Sequence, residues 1–357
     1  MIKVLVVDDS ALMRREISKM LESDNSIQVV GTARDGSEVV SKVKELSPDV
    51  ITLDVEMPKM DGLETLKQVM EQAPCPVVMV SSLTGEGADT TIQALENGAI
   101  DFVHKPSGSI SLDIDKQKEQ LISKIKTASQ TTSGRLRRRT ISPRIKKTET
   151  VVPPRRVMPG KMDPAHIVGI GISTGGPRAL MEMLPNIAGD LNISILIVQH
   201  MPEKFTASLA KRLDKVCPMQ VKEAEDGEIV ERGCIYIAPG GKHMELTAKN
   251  PRIRFIQIVE GSESDINCPS VDRLFASLNH ALAKNWLGVI LTGMGGDGAE
   301  QLLQLKQKGG HTIAEAEETC TVFGMPKRAI EKGAAEFVLP LEAIPEKIHN
   351  LYHQKLF

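Results

Sequence analysis

Aromatic side chains are scarce in this sequence, at 3% of its 357 residues and with a single tryptophan. Proteins that bind single-stranded nucleic acid stack bases on aromatic rings, so this composition argues against that function. Long hydrophobic runs are also missing, because apolar stretches such as residues 193–198 fall far short of the ~20 residues that a membrane helix needs. We therefore expect no membrane insertion.

Two further absences concern location. The N-terminus, MIKVLVVDDS, reaches two aspartates after seven residues and has no apolar core or cleavage site of a secretory signal. The five cysteines are scattered, with no C-x-x-C pair and no histidine at zinc-finger spacing. Free thiols suit a reducing compartment, so we expect a cytoplasmic protein.

The net charge of -2 hides a basic segment: residues 127–161 carry ten Lys or Arg against one acidic residue, a local charge of +9. This segment lacks apolar periodicity and cannot bury enough surface to fold alone. We interpret residues 127–163 as a flexible linker, spanning roughly 30 Å as a random chain. Its RLRRR run could contact nucleic acid, but no recognition helix or zinc site accompanies it, so we expect no nucleic-acid partner.

On either side of this linker, apolar strand-like runs alternate with helical periodicity, the pattern of a parallel sheet covered by helices. Residues 1–126 predict a flavodoxin-like domain with a five-stranded parallel sheet and a closing helix near 112–126. Residues 164–357 predict a doubly wound, mostly parallel α/β domain. Its candidate strands are AHIVGIGIS, ISILIVQH, CIYIAP, RIRFIQI, WLGVILTG and HTIAEA.

Four polar residues of the first domain follow predicted strands. Asp8 and Asp9 end the first strand, Asp54 ends the third, and Lys105 ends the fifth. These ends meet at one edge of a parallel sheet, where three carboxylates would repel one another unless a cation is present. Mg²⁺ prefers such oxygen ligands, although a single aspartate in such a place more often caps a helix.

The first domain resembles response-regulator receivers in its motifs VVDDS, LDVEMPKMDG, VSSLT and HKP. The resemblance implies that Asp54 accepts a phosphoryl group and that Asp9 binds Mg²⁺ with help from Asp8 and the backbone carbonyl of Glu56. It also implies that two side chains contact the phosphoryl oxygens, namely Ser81 and Lys105. A phosphoryl group adds roughly -1.5 to -2 charge, enough to reshape the adjacent surface.

The second domain offers a nucleophile. Ser173 lies in G-x-S-x-G between a strand and a helix, where small neighbours permit a turn that exposes its hydroxyl. A dinucleotide loop of an oxidoreductase is the competing interpretation. That pattern fails, because Thr174 replaces the third glycine and the next strand ends in Gln199 and His200 rather than in an acidic ribose ligand.

A serine hydroxyl needs a base, and the base needs a group that orients it. His200 follows the strand ISILIVQ and Asp297 lies in the loop LTGMGGDG after WLGVI, so both occupy carboxyl ends of strands beside Ser173. The order Ser, His, Asp differs from that of the α/β-hydrolases. His243, which follows another predicted strand, could line the pocket.

The second domain resembles the chemotaxis protein-glutamate methylesterase (CheB) family in GISTGGP, VQHMP, APGGKHM, PSVDRLF, LTGMGGDGA and VFGMP. The resemblance implies hydrolysis of glutamate γ-methyl esters on methyl-accepting chemotaxis receptors, with receptor glutamine deamidation as a second activity. Ser173 would be the nucleophile, His200 would transfer protons, and Asp297 would orient His200. Backbone N–H groups near Thr174 and Met294 are candidates for the oxyanion hole.

This interpretation predicts a chemotaxis histidine kinase as phosphodonor, Mg²⁺ in the receiver, no cofactor at the hydrolase site, and a monomer. We expect the unphosphorylated receiver to restrain the hydrolase and phosphorylation of Asp54 to release it. The competing class is a response regulator whose output is binding, with the second domain as a ligand module. Esterase activity that depends on Ser173 separates the two.

Overall fold

The computed structural model describes residues 1–58, 60–82, 85–105, 111–131, 166–250, 253–262 and 264–357. These residues form two compact units, one on each side of the segment 132–165. The predicted linker, residues 127–163, lies outside the described residues from residue 132 onward. Among the described residues, no helix is long and apolar enough to cross a membrane.

The first unit contains a five-stranded parallel sheet in the order β2-β1-β3-β4-β5. Its central strands are fully buried, as expected for a parallel sheet with helices on both faces. The strands are β1 (Ile2–Val7), β2 (Ile27–Ala33), β3 (Val50–Asp54), β4 (Val77–Ser81) and β5 (Asp101–His104). The helices are α1 (Ala11–Glu22), α2 (Val39–Leu46), α3 (Gly62–Gln72), α4 (Gly85–Glu96) and α5 (Ser111–Ser129).

Local sequence signals explain where several of these elements begin and end. The Ser10 hydroxyl caps α1 by accepting a hydrogen bond from the Met13 N–H, and the Asp61 carboxylate caps α3 in the same way. Helix α5 continues to Ser129, three residues beyond the predicted closing helix. Its Lys124 ammonium lies 2.7 Å from the Asp101 carboxylate, which ties the helix to β5.

The second unit contains a seven-stranded parallel sheet in the order β14-β13-β12-β6-β7-β9-β8. Its strands are β6 (His166–Ile172), β7 (Ile193–Gln199), β8 (Gln220–Glu223), β9 (Cys234–Ile237), β12 (Leu287–Ile290), β13 (His311–Glu315) and β14 (Phe337–Leu339). Its helices are α6 (Gly176–Met183), α7 (Phe205–Asp214), α8 (Val271–Ala281), α9 (Ala299–Gln307), α10 (Met325–Glu331) and α11 (Ile344–His353).

One of the predicted strands is not part of this seven-stranded sheet. RIRFIQI forms β11 (Ile253–Glu260), which pairs antiparallel with β10 (Lys242–Asn250) in a separate two-stranded sheet. Met244, Leu246 and Ile256 on one face of this hairpin are buried in the same apolar cluster as α8. The alternation of apolar and polar residues in β10 therefore reflects a strand with one covered face.

The strand order creates a cleft at the carboxyl end of β6. The chain passes from β6 to β7 on one side of it and later enters β12 on the other side. At such a reversal of strand order the connecting loops diverge and leave a crevice where ligands bind. Ser173, His200 and Asp297 all lie in the loops that leave these three strands.

Candidate active site

Ser173 occupies a tight turn at the end of β6. Its backbone N–H donates to the carbonyl of Thr292 at 3.0 Å, and its own carbonyl accepts from the N–H of Gly176 at 2.8 Å. Gly175 has a φ of 81°, a left-handed conformation that glycine adopts without strain. The turn therefore holds Ser173 at the mouth of the cleft, immediately before α6.

The loop after β12 passes directly against Ser173. A Cβ at Gly293 would lie 2.7 Å from the Cβ of Ser173 and 2.5 Å from the Met325 sulfur. No side chain fits there, so glycine is required for this loop to approach the serine. Met294 and Asp297 follow Gly293 in the same loop.

His200 follows β7 and is the next residue after the pairing of Gln199 with Ile172. Its backbone N–H donates to the Ile172 carbonyl at 3.0 Å, and its imidazole Nε2 lies 2.8 Å from Oδ2 of Asp297. Because Nε2 contacts the carboxylate, Nδ1 is the ring nitrogen that does not face Asp297. Among the described residues, the Ser173 hydroxyl forms no hydrogen bond. In enzymes without bound substrate, the hydrogen bond between a serine and its base is often long and shortens only when substrate binds.

Asp297 accepts hydrogen bonds on both carboxylate oxygens. Oδ2 accepts from His200 and from the backbone N–H of Val271 at 2.7 Å, while Oδ1 accepts from the Ser270 hydroxyl at 3.1 Å and the Asp272 N–H at 2.9 Å. Burial tends to raise the pKa of Asp297, but the His200 contact and the two backbone N–H groups outweigh it and hold the pKa below its usual value. The carboxylate is thus ionised and fixed at the N-terminus of α8.

Gln199 is a functional candidate that sequence reasoning missed. Its side-chain Nε2 donates to the carbonyl of Ser173 at 3.0 Å and to the carbonyl of His200 at 3.1 Å, and the side chain is 2% exposed. One amide group therefore ties the Ser173 turn to the backbone of His200. The only sequence signal for Gln199 is its position directly before His200, at a strand end where an acidic residue is missing.

We expect Gln199→Leu to lower kcat for the ester hydrolysis that the sequence predicts about 10² fold with little change in KM, because misplacing reacting groups by about 1 Å can cost that much. Leucine keeps a similar volume but removes both N–H donors. Steady-state kinetics and thermal unfolding would be measured together, with the exposed Gln307→Leu as the matched control. A Gln199→Leu protein with wild-type kcat would remove this role.

The remaining candidates of the second unit lie in different surroundings. Thr174 is buried in the nucleophile turn, and its carbonyl accepts from the Thr292 hydroxyl at 3.0 Å. Met294 is 41% exposed in the loop that contacts Ser173. His243, predicted as a pocket residue, is fully buried on β10, where its ring contacts Asp265 and Ser270.

In the first unit, the predicted residues come together at the edge of the sheet. The carboxylates of Asp8, Asp9 and Asp54 offer ligand oxygens within 4.8 Å of one another. Lys105 Nζ lies 2.7 Å from Oδ2 of Asp54 and 3.6 Å from Oδ2 of Asp8. Burial, opposed by Lys105 and assisted by Asp8, raises the pKa of Asp54 to about 6. The cluster is crowded with carboxylates and short of positive charge.

Ser81 and Glu56 lie beside this cluster. Ser81 is fully buried at the end of β4, and its hydroxyl accepts a hydrogen bond from the Thr91 hydroxyl at 2.8 Å. The backbone N–H of Glu56 donates to Oδ1 of Asp54 at 3.1 Å. The loop that carries the Glu56 carbonyl is therefore held against Asp54.

Comparison with known proteins gives matches over both units. A family model described as CheB methylesterase matches residues 168–348, and one described as response regulator receiver domain matches residues 4–113. Two curated relatives are each named protein-glutamate methylesterase/protein-glutamine glutaminase. That of Halalkalibacterium halodurans is 49% identical, covering 97% of this chain and 97% of its own. That of Pyrococcus horikoshii is 45% identical, covering 97% of this chain and 92% of its own.

A solved structure matches the second unit. The crystal structure of the Thermotoga maritima CheB methylesterase catalytic domain is 46% identical over 52% of this chain and 98% of that chain, with a TM-score of 0.51. The similarity thus extends over the sheet that carries Ser173, His200 and Asp297.

Proposed function

The chain belongs to the CheB methylesterase family, and on this premise we propose that it hydrolyses glutamate γ-methyl esters on methyl-accepting chemotaxis receptors. The observation that carries the proposal is the 2.8 Å contact between His200 and Asp297 in the cleft that Ser173 faces. It supplies the oriented base that a serine nucleophile requires. The proposal places the protein in the cytoplasm, in keeping with its free cysteines.

In the proposed reaction, Ser173 Oγ attacks the ester carbonyl while Nδ1 of His200 accepts the hydroxyl proton. The resulting imidazolium is stabilised by Asp297, whose lowered pKa keeps it ionised. The C–O bond to the methoxy group then breaks, and His200 returns the proton so that methanol leaves. His200 next takes a proton from water, which attacks the acyl-enzyme and releases the receptor carboxylate and free Ser173.

The developing oxyanion needs hydrogen-bond donors near Ser173. We assign this role to the backbone N–H groups of Thr174 and Met294, because the first follows the nucleophile and the second lies in the loop that contacts it. Each such donor is worth roughly 2.7 to 4 kcal/mol in related chemistry. A glutamine amide would follow the same steps with ammonia as leaving group, so we propose deamidation as a second activity.

The first unit is proposed to regulate this hydrolase through phosphorylation of Asp54 by a chemotaxis histidine kinase. The cluster suits Mg²⁺, because Oδ2 of the buried Asp8 has no hydrogen-bond partner among the described residues and three carboxylates converge there. Asp8, Asp9, Asp54 and the Glu56 carbonyl would hold the ion, and Ser81 and Lys105 would contact the phosphoryl group. Bound Mg²⁺ would neutralise carboxylate and phosphoryl charge.

The regulatory proposal predicts that a small-molecule phosphodonor with Mg²⁺ increases ester hydrolysis by the wild type. Asp54→Asn removes the phosphoryl acceptor while keeping the side-chain shape, so we expect it to show no increase. Methanol release would be measured with and without the donor, and chelation of Mg²⁺ should abolish the wild-type increase. An undiminished response of Asp54→Asn would contradict this assignment.

The proposed activity is tested by methanol release from receptor that carries radiolabelled methyl groups. Wild-type protein should release labelled methanol, while a response regulator whose output is binding would release none. Mass spectrometry of receptor peptides that contain an unmodified target glutamine tests the deamidation separately. Catalysed conversion of glutamine to glutamate supports that second activity, and its absence would limit the enzyme to esters.

A further inference from the structure

The second unit contains a further histidine–aspartate pair, His243 and Asp265, in addition to His200 and Asp297. The imidazole of His243 is fully buried, and its Nε2 lies 3.0 Å from Oδ2 of Asp265. Nδ1 of the same ring accepts a hydrogen bond from the backbone N–H of Ser270 at 3.2 Å. The same Asp265 oxygen accepts from the Ser262 N–H at 2.7 Å. Both ring nitrogens of the buried His243 therefore take part in hydrogen bonds within the protein.

These contacts determine the tautomer of His243. A backbone N–H is only a donor, so Nδ1 must be the acceptor and the ring proton of the neutral imidazole must reside on Nε2, facing Asp265. The Ser262 N–H and the His243 contact lower the pKa of Asp265 to about 2, so an ionised acceptor faces that proton. Rotation of the ring would break both hydrogen bonds inside the protein.

The same tautomer argues against a metal site at this place. His243, Asp265 and the Cys268 sulfur offer ligand atoms within 4.8 Å of one another. A neutral histidine that binds a metal through Nε2 carries its proton on Nδ1. A proton on Nδ1 would point at the Ser270 N–H, which is itself a donor to Nδ1. A metal bound to Nε2 would therefore require a ring with no proton on either nitrogen, an imidazolate. The cluster fits a hydrogen-bonded pair better than a metal centre.

Ser270 connects this pair to the proposed catalytic aspartate. Its hydroxyl donates to Oδ1 of Asp297 at 3.1 Å, and the next two residues, Val271 and Asp272, donate their backbone N–H groups to the same carboxylate. Three of the four hydrogen bonds that Asp297 accepts thus come from residues 270–272. The fourth is the contact with His200.

We infer that the pair formed by the buried His243 and the partly exposed Asp265 positions Asp297 for proton transfer, by holding the Ser270 backbone and with it the N-terminal turn of α8. This inference rests on the proposed function of the second unit. His243 and Asp265 are positioning residues, since they reach the reacting atoms only through Ser270 and Asp297. If the pair is broken, the turn shifts and the Asp297 carboxylate no longer aligns with His200.

The test compares two replacements of His243 in the full-length protein at saturating phosphodonor. In His243→Gln the amide can donate to Asp265 and accept from the Ser270 N–H, whereas in His243→Phe the ring fills the space and can do neither. We expect His243→Phe to lower kcat for methyl-ester hydrolysis about 10² fold with KM within about threefold of wild type. His243→Gln should recover most of that loss. Thermal unfolding would confirm that each variant is folded at the assay temperature.

Asp265 gives a second comparison that does not enlarge a buried side chain. Asp265→Asn keeps an oxygen that can accept from both Ser262 and His243, whereas Asp265→Ala removes it. We expect a loss of kcat in Asp265→Ala and near wild-type kcat in Asp265→Asn. In proton NMR, the imidazole N–H between His200 and Asp297 should shift in His243→Phe and Asp265→Ala and be retained in the two conservative variants.

The outcomes distinguish failure of the positioning role from failure of the proposed function. Folded His243→Phe and Asp265→Ala proteins with wild-type kcat and an unshifted His200 resonance would overturn the positioning role. Equal losses in the conservative and disruptive variants would overturn it as well, because hydrogen bonding would then not be the cause. Absence of methanol release by the wild type would instead refute the proposed function, while the NMR comparison would still test the positioning of Asp297.

Discussion

Ser173→Ala is expected to lower kcat for methyl-ester hydrolysis by at least about 10⁴ fold, because no other group at this position can form the acyl-enzyme. Loss of the serine alone removes nearly all of the catalysis that such a triad provides. The Cβ of residue 173 is retained, so its contact with Gly293 and the backbone hydrogen bond to Thr292 remain. The fold should therefore be preserved.

The measurement is labelled methanol release at saturating methylated receptor, with thermal unfolding to confirm the fold. Ser208→Ala is the matched control, since Ser208 lies on α7 and its side chain makes no hydrogen bond among the described residues. The control should keep wild-type kcat. Retention of more than about one hundredth of the activity in Ser173→Ala would mean that water attacks the ester without a serine adduct.

Asp297→Asn is expected to lower kcat about 10⁴ fold, as for triads in which the aspartate can no longer select the histidine tautomer. Within the described part of the chain, the four hydrogen bonds of Asp297 come from donors: His200, Ser270 and the N–H groups of Val271 and Asp272. An asparagine offers one oxygen, so its NH₂ group must face donors on the other side. We also expect a loss of about 1 to 3 kcal/mol in the free energy of unfolding.

The two effects are measured separately, by kinetics below the unfolding transition and by denaturant unfolding. The exposed Asp190→Asn is the control for loss of a carboxylate and should alter neither quantity. A folded Asp297→Asn protein whose kcat falls less than about tenfold would show that His200 does not need this carboxylate. The Ser173 nucleophile would then require another explanation for its activation.

The sequence was sufficient to predict the two α/β units and the loops after neighbouring strands that carry Ser173, His200 and Asp297, of which His200 and Asp297 are in contact. The reason is geometric: each follows a long apolar run, and the carboxyl ends of parallel strands share one edge. Asp8, Asp54 and Lys105 were predicted on the same basis. Apolar periodicity was therefore enough to place residues that are far apart in the chain.

Other features depend on contacts that periodicity does not encode. Strand β8 has only four residues, three of them polar, and β14 has three residues, so neither produced a strand signal. The pairing of β11 with β10 required knowledge of how α8 covers one face of the hairpin. His243 was predicted to line a pocket because it follows an apolar run, but its burial is set by Asp265 and Ser270 from a later loop.

The capping of α8 by Asp297 was equally hidden, because the carboxylate lies 26 residues after Val271, the residue whose N–H it accepts. Ordinary capping signals are local, and Ser270 already provides one by accepting from the Arg273 N–H. Here a distant aspartate occupies the same helix end, where the partial positive charge of the helix N-terminus stabilises its carboxylate. The orientation of the base therefore depends on tertiary packing.

The most direct test of the central claim is mass spectrometry of methylated receptor peptides after incubation with wild-type protein and with Ser173→Ala. We predict that each substrate glutamate loses the mass of one methylene group with the wild type and stays methylated with the variant. Peptides that remain methylated after incubation with folded, phosphodonor-treated wild type would contradict this claim, as would equal demethylation by the two proteins.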